Sequence, residues 1–202
     1  MSTILKDDID FINKHHRLLQ SNDFDAFFEQ VEKYTAVGQV ANRIARVFQE
    51  SGIDCLKYMS YIPMGYFSYD TMVGYTIPKN IHSLHRKCFE GSDLHKIVIP
   101  SHVEDIRDSA FQACYFLNMV ECEEGLEYLG ENAFFSCEDL KYVELPASLK
   151  EIGYGCFRDC ENLVRVRYRG KSEDWQYIKN IDAITDGSYV SSVVCVDGII
   201  FL

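Results

Sequence analysis

Eight cysteines and six histidines are the residues of this 202-residue chain that could hold a metal, form disulfides or supply a nucleophile. Cys114, Cys137 and Cys160 follow one another at intervals of 23 residues. Zinc draws four ligands to one centre at about 2.3 Å. Residues that recur at one long period instead form a column, spaced by about 4.8 Å where their strands are neighbours. The spacing therefore points to a buried column of thiols, in which free cysteine acts as a small apolar group. No metal and no cofactor is expected. His82 and His85 make a His-x-x-His pair on a turn-to-strand segment, but the sequence nominates no third ligand. Asp7, Asp8, Asp10, His15 and His16 cluster near the N-terminus, and acids in a first helical turn are accounted for by the helix dipole. The chain has no nucleophile elbow, phosphate-cradling glycine loop or dinucleotide fingerprint.

The elements that position these residues show themselves as a period. Phe89, Phe111, Phe134 and Phe157 are separated by 22, 23 and 23 residues, and a small residue precedes each: Cys88, Ala110, Ala133, Cys156. Aliphatic pairs come before them in phase, Ile81 with Leu84, Val103 with Ile106, Leu126 with Leu129, Leu149 with Ile152. After them come Leu94, Leu117, Leu140 and Leu163, then Ile97, Val120, Val143 and Val166, then Ile99, Cys122, Leu145 and Tyr168. One such unit buries apolar side chains worth roughly 2 kcal/mol each. Ordering its backbone costs about 1 to 2 kcal/mol per residue. A single unit cannot fold alone, and stacking is what offsets the cost.

The stretches LPASLKEIGYGCFRDCENLVRV and IPSHVEDIRDSAFQACYFLNMV resemble the BspA-type leucine-rich repeat. That pattern has a proline-marked turn, an aliphatic pair ending in Ile-Gly, Ala-Phe, Cys-x-x-Leu and a strand. The resemblance implies a right-handed solenoid in which each unit gives a short strand to a parallel sheet. The fold class expected is α+β: a helical N-terminal domain and connector over residues 1–72, about four repeats over 73–170, and a C-terminal cap over 171–202.

Both ends depart from the repeat. Ile4, Leu5, Ile9, Ile12, His16 and Leu19 fall near one helical stripe. Ser21-Asn22-Asp23 offers capping oxygens for a second helix that turns Phe24, Phe27, Phe28 and Val31 inward. A third helix runs from about Ala36 to Ser51 with Val37, Val40, Ile44, Val47 and Phe48, and Gly52 suits the left-handed residue that ends it. The tyrosine-rich connector after Asp54 is expected to pack on the first repeat. At the other end GKSEDWQYIKNI and VVCVDGIIFL resemble the terminal unit of such arrays, so Trp175 would close the core.

A net charge of −11 argues against binding a phosphate backbone, which takes its affinity from lysine and arginine. No uninterrupted apolar run is long enough to span a membrane, and no basic stretch followed by an apolar run opens the chain. The expected setting is the cytoplasm, that of a host cell if the protein is viral, with its thiols reduced. Along each repeat strand the residues between inward positions point out on the concave face. They are Gly74 and Thr76, Lys96 and Val98, Met119 and Glu121, Tyr142 and Glu144, Arg165 and Arg167. Lys96, Met119, Glu121, Tyr142, Glu144, Arg165 and Arg167 are accordingly the candidate partner-binding residues, since tyrosine and arginine dominate interface energetics. The function expected is protein binding without catalysis, with a phage or mobile-element inhibitor of a host defence protein as its specific version. A surface adhesin and an enzyme with its site on the N-terminal helices are the alternatives.

Overall fold

A computed structural model describes residues 6–34 and 39–202. Ile4, Leu5, Ala36 and Val37 lie outside the described residues, as does the side chain of Val40. The N-terminal part is helical, with α1 (Lys6–Lys14), α2 (His16–Gln20), α3 (Phe24–Tyr34) and α4 (Gln39–Glu50). The expected stripe on the first helix is corrected in one respect. Asp8 and Phe11 are buried and Ile9 is 44% exposed, because the helix ends at Lys14 and Arg43 draws Asp8 inward with donors at 2.8 and 2.9 Å. Helix α3 begins as its sequence indicates, with the Asp23 carboxylate accepting the Ala26 amide at 3.2 Å. Helix α4 ends at a left-handed Gly52, φ +72°. Phe24, Phe27, Phe28 and Phe48 meet edge to face in the centre of this part.

The remaining chain winds through two parallel ladders. The long ladder contains β3 (Lys96–Ile99), β5 (Met119–Cys122), β7 (Tyr142–Leu145), β9 (Arg165–Tyr168) and β10 (Ser192–Val194), with a bridge from Gly74 before β3. A final strand, β11 (Ile199–Phe201), returns antiparallel along β10. The short ladder consists of two-residue strands: β1 (Tyr61–Ile62), β2 (Ser83–Leu84), β4 (Asp105–Ile106), β6 (Tyr128–Leu129) and β8 (Glu151–Ile152), followed by a bridge to Lys179. Each ladder thus has six rungs of one winding chain among the described residues, where about four repeats were expected. The added turns come from the connector, whose Phe67 stacks on Phe89 at 5.1 Å, and from the cap, whose β10 pairs with β9.

The period of 22 to 23 residues is enforced by backbone contact between turns. The amides of Phe67, Phe89, Phe111 and Phe134 donate to the carbonyls of Cys88, Ala110, Ala133 and Cys156 at 2.7 to 2.9 Å. This third line of hydrogen bonds needs left-handed backbone on either side of it. Lys87, Ser109, Ala113, Asn132, Ser136 and Asp159 all carry φ between +54° and +59°, a conformation that costs an L-residue about 1 to 2 kcal/mol and is offset by the amides it aims at the next turn. Inside, the phenylalanine rings stack nearly parallel, with centroids 5.0 to 5.5 Å apart from Phe89 to Phe157. Gly153 follows the aliphatic position because its backbone lies directly on Gly130 and Glu131 of the previous turn, where a Cβ would collide.

Candidate protein-binding face

The thiols stand where the period puts them. Cys114, Cys137 and Cys160 are fully buried, and each donates to the carbonyl of the phenylalanine one turn earlier, Phe89, Phe111 and Phe134, at 3.0 to 3.1 Å. Burial pushes the pKa of Cys88 and Cys156 well up and that of Cys122 up to about 12, which holds them as neutral thiols. His82 and His85 are not brought together. His82 binds the His102 carbonyl at 2.9 Å, whereas His85 is buried, stacks on Tyr61 at 3.9 Å and meets Glu32 at 3.0 Å. His16 binds the carbonyl of Asn13, and His15 packs on Phe11. Among the described residues no group of three or more metal-binding side chains converges. Trp175 is buried with its edge toward Tyr168 at 5.3 Å, at the end of the core.

The outward residues of the long ladder form two rows by strand register. One row is Lys96, Met119, Tyr142 and Arg165. The other is Val98, Glu121, Glu144 and Arg167, continued by Val194 and Ile199. The structure therefore places all seven candidate residues on one face, but in different states. Lys96 and Glu121 pair at 3.0 Å near the surface, a contact worth about 1 kcal/mol or less. Met119, Tyr142 and Arg165 line an open depression of about 410 Å³ with Asn118, Lys141 and Val164. Arg165 and Arg167 are exposed.

Glu144 differs from the expectation that it points to a partner. It is 7% exposed and its oxygens are used inside the molecule. It accepts from the Tyr142 hydroxyl at 2.5 Å, from Arg167 at 3.5 Å and from Arg169 Nε. Burial raises its pKa, but the Tyr142 and Arg169 hydrogen bonds outweigh that and leave the carboxyl below its ordinary range. Glu144 is thus the fixed anion that orients Tyr142, Arg167 and Arg169. Strand alternation assigns it to the outer side, yet Arg169 folds over it from beyond the strand end. Arg169 and Val164 are face residues that the alternating count does not pick out, since both lie just outside the four-residue strand.

The sequence model of the BspA type Leucine rich repeat region matches residues 50–178 with six copies. The chain belongs to the BspA-type leucine-rich-repeat family. The six copies of this BspA-type chain run from the connector to the start of the cap, and the long ladder adds β10 (Ser192–Val194) beyond them. Among solved structures it is similar to a leucine-rich repeat protein of T. pallidum, at 26% identity and a TM-score of 0.36, covering 53% of this chain and 71% of that one. It is also similar to a leucine rich cell surface protein of Faecalibacterium prausnitzii A2-165, at 15% identity and a TM-score of 0.23, over 52% of this chain and 55% of that one. A leucine-rich repeat protein of Bacteroides ovatus ATCC 8483 matches at 15% identity and a TM-score of 0.24, over 60% and 47%. No curated protein matches the BspA-type chain. Family and fold are of a kind that is typically without catalytic activity and that mediates protein interactions.

Proposed function

We propose that this BspA-type protein binds a segment of another protein on the outer face of its long sheet, and that the segment places a carboxylate beside an apolar or aromatic side chain. One observation carries the reading. In a chain of net charge −11, Arg165, Arg167 and Arg169 follow one another at alternate positions, with Arg165 lining the depression together with Met119, Tyr142 and Val164 and the other two held on Glu144. Arginine and tyrosine around a partly apolar hollow is the composition of an interface hot spot. Glu144 holds two of the arginines in place before a partner arrives, which lowers the entropy lost on binding.

The test is capture with the full chain as bait from cells that make it, with mass spectrometry naming the partner. The exposed double variant R165E/R167E should keep its circular dichroism and lose about tenfold or more in affinity for that partner. Undiminished capture would move the site to the helical domain or to Tyr115 and Phe116, which are each half exposed. In the narrower version of this reading the protein comes from a phage or mobile element, acts in the host cytoplasm and blocks a defence protein. Imitation of nucleic acid would then use the opposite side, where Glu131, Glu151, Asp182 and Asp186 line a cavity of about 440 Å³. Steep weakening of binding with salt would mark that version. An adhesin-type role fits the same family and face, with the partner outside the cell, and cell fractionation separates the two.

A further inference from the structure

The last strand of the long sheet carries backbone groups that the sheet does not use. Leu202 donates to the Ser191 carbonyl at 3.0 Å and Cys195 to the Gly198 carbonyl at 2.8 Å. With Val193 opposite Ile200, the hydrogen-bonded pairs of this hairpin are Ser191 with Leu202, Val193 with Ile200, and Cys195 with Gly198. Antiparallel pairing alternates. The N–H and C=O groups of Ile199 and Phe201 therefore point away from β10, to the open side of β11, where no strand lies among the described residues.

Side chains make this edge unusual. Proteins protect exposed edges with lysine, proline, bulges or a covering element. Residues 198–202, Gly-Ile-Ile-Phe-Leu, contain no charged side chain and no proline. Phe201 is 83% exposed, Ile199 57% and Val196 61%, with Val194 and Leu202 nearly half exposed. On that one face Val194, Val196, Ile199 and Phe201 present on the order of 400 Å² of apolar surface, the size of the largest patch on a typical monomer and about half the ~800 Å² per partner of a standard interface.

We infer that β11 pairs with β11 of a second copy of this chain, antiparallel about a twofold axis beside Ile200. Two features favour a copy of the chain as the occupant. An antiparallel edge is self-complementary under a twofold axis, and such pairing consumes the edge and stops at two. Centring the axis on Ile200 sets Ile199 opposite Phe201 of the second copy, and Phe201 opposite Ile199, so four backbone hydrogen bonds form with no change in either hairpin. Two chains of charge −11 repel each other, a cost that is least where the strip that meets carries no charged side chain. The outer face then runs without a break across both copies, from one arginine row through Val194, Ile199 and Phe201 to the other.

The full chain should sediment at about twice its 23.3 kDa mass over a dilution series. Amide exchange at Ile199 and Phe201 should slow as concentration rises. Two variants act on the strip, one removing a backbone donor together with its ring and one leaving every backbone donor in place. F201P removes an outward donor and leaves the bonds to β10, and I199K/F201K charges the exposed strip. Each should weaken the dimer about tenfold or more, for F201P the scale of one net hydrogen bond lost at each of two symmetric positions, with the urea midpoint of the monomer unchanged. A chain that stays monomeric throughout the series overturns the inference, whatever other strand the edge accepts. So does a dimer that survives either variant. If F201P fails to fold, the lysine variant and the exchange rates decide alone.

Discussion

The two ends of the solenoid are closed by different means. At the N-terminal end the helices cover both the core and the backbone of the first turn. The Asp25 carboxylate takes the Ser60 amide and hydroxyl, its carbonyl takes the Tyr61 hydroxyl, and Glu32 takes the Met64 amide together with His85. Asn80 donates to the carbonyls of Leu56 and Met59. At the C-terminal end Trp175, Ile178 and Ile184 close the core with apolar bulk, and the Lys179 bridge ends the short ladder. The long ladder is left with the open side of β11. Sealing an apolar core and satisfying a row of amides are thus separate tasks. On the short ladder both ends are satisfied, by the α3 carboxylates at the first turn and by the Lys179 bridge at the last, whereas the long ladder ends on the open side of β11.

The comparison can be broken most severely by removing the centre of the helical cap. Phe28 is fully buried and packs edge to face on Phe27 and Phe48 and against Tyr66 of the first turn. Phe28→Ala should cost about 3 to 5 kcal/mol in urea unfolding, with helical and solenoid signals lost together. A loss under about 1 kcal/mol, or two separate transitions, would show that the helices are an appended domain and close nothing.

A smaller effect comes from acid. Glu32 is pulled upward by burial, but the hydrogen bonds from His85 and the Met64 amide prevail and leave its pKa below the ordinary 4.5. A group whose folded pKa is depressed contributes stability above its unfolded pKa and loses it as pH falls through the folded value. The N-terminal closure should therefore weaken below about pH 4.5, and Glu32→Gln should flatten that limb of a stability against pH curve. An unchanged acid limb in the variant would mean that other carboxylates govern it.

The smallest effect is expected at the other end. The Trp175 indole N–H is buried and has no partner among the described residues, so Trp175→Phe removes volume without breaking a hydrogen bond. Its cost should stay below about 1.5 kcal/mol in thermal or urea unfolding. A larger loss would reveal a polar role for this cap and reduce the contrast between the ends.

Much of the middle was legible because identical neighbours impose identical residues. A phenylalanine stacked on a phenylalanine, a thiol bonded to the previous turn's carbonyl and a glycine lying on backbone recur wherever one turn covers another. The first turn was missed for the complementary reason. Its small slot holds Tyr66, a residue with no earlier turn to collide with, whose hydroxyl instead meets Cys55 at 3.0 Å. The two-residue strands of the short ladder were readable as aliphatic pairs but not as a sheet, since two residues carry no alternation. On the candidate face, register was legible and burial was not, as Glu144 shows.

What the sequence by itself determined is the period, and with it the family, the columns of core residues and the side of the sheet to which Lys96, Met119, Tyr142, Arg165 and Arg167 belong. These depend on distance along the chain, because each turn meets the next at a fixed offset. The tertiary structure alone decided that the long ladder continues into the cap at β10, which outward carboxylate is withdrawn beneath arginines, and which strand edge is left open. These depend on what stands beside a residue from elsewhere in the chain: Arg169 over Glu144, the α3 carboxylates on the first turn, and no strand among the described residues beside β11.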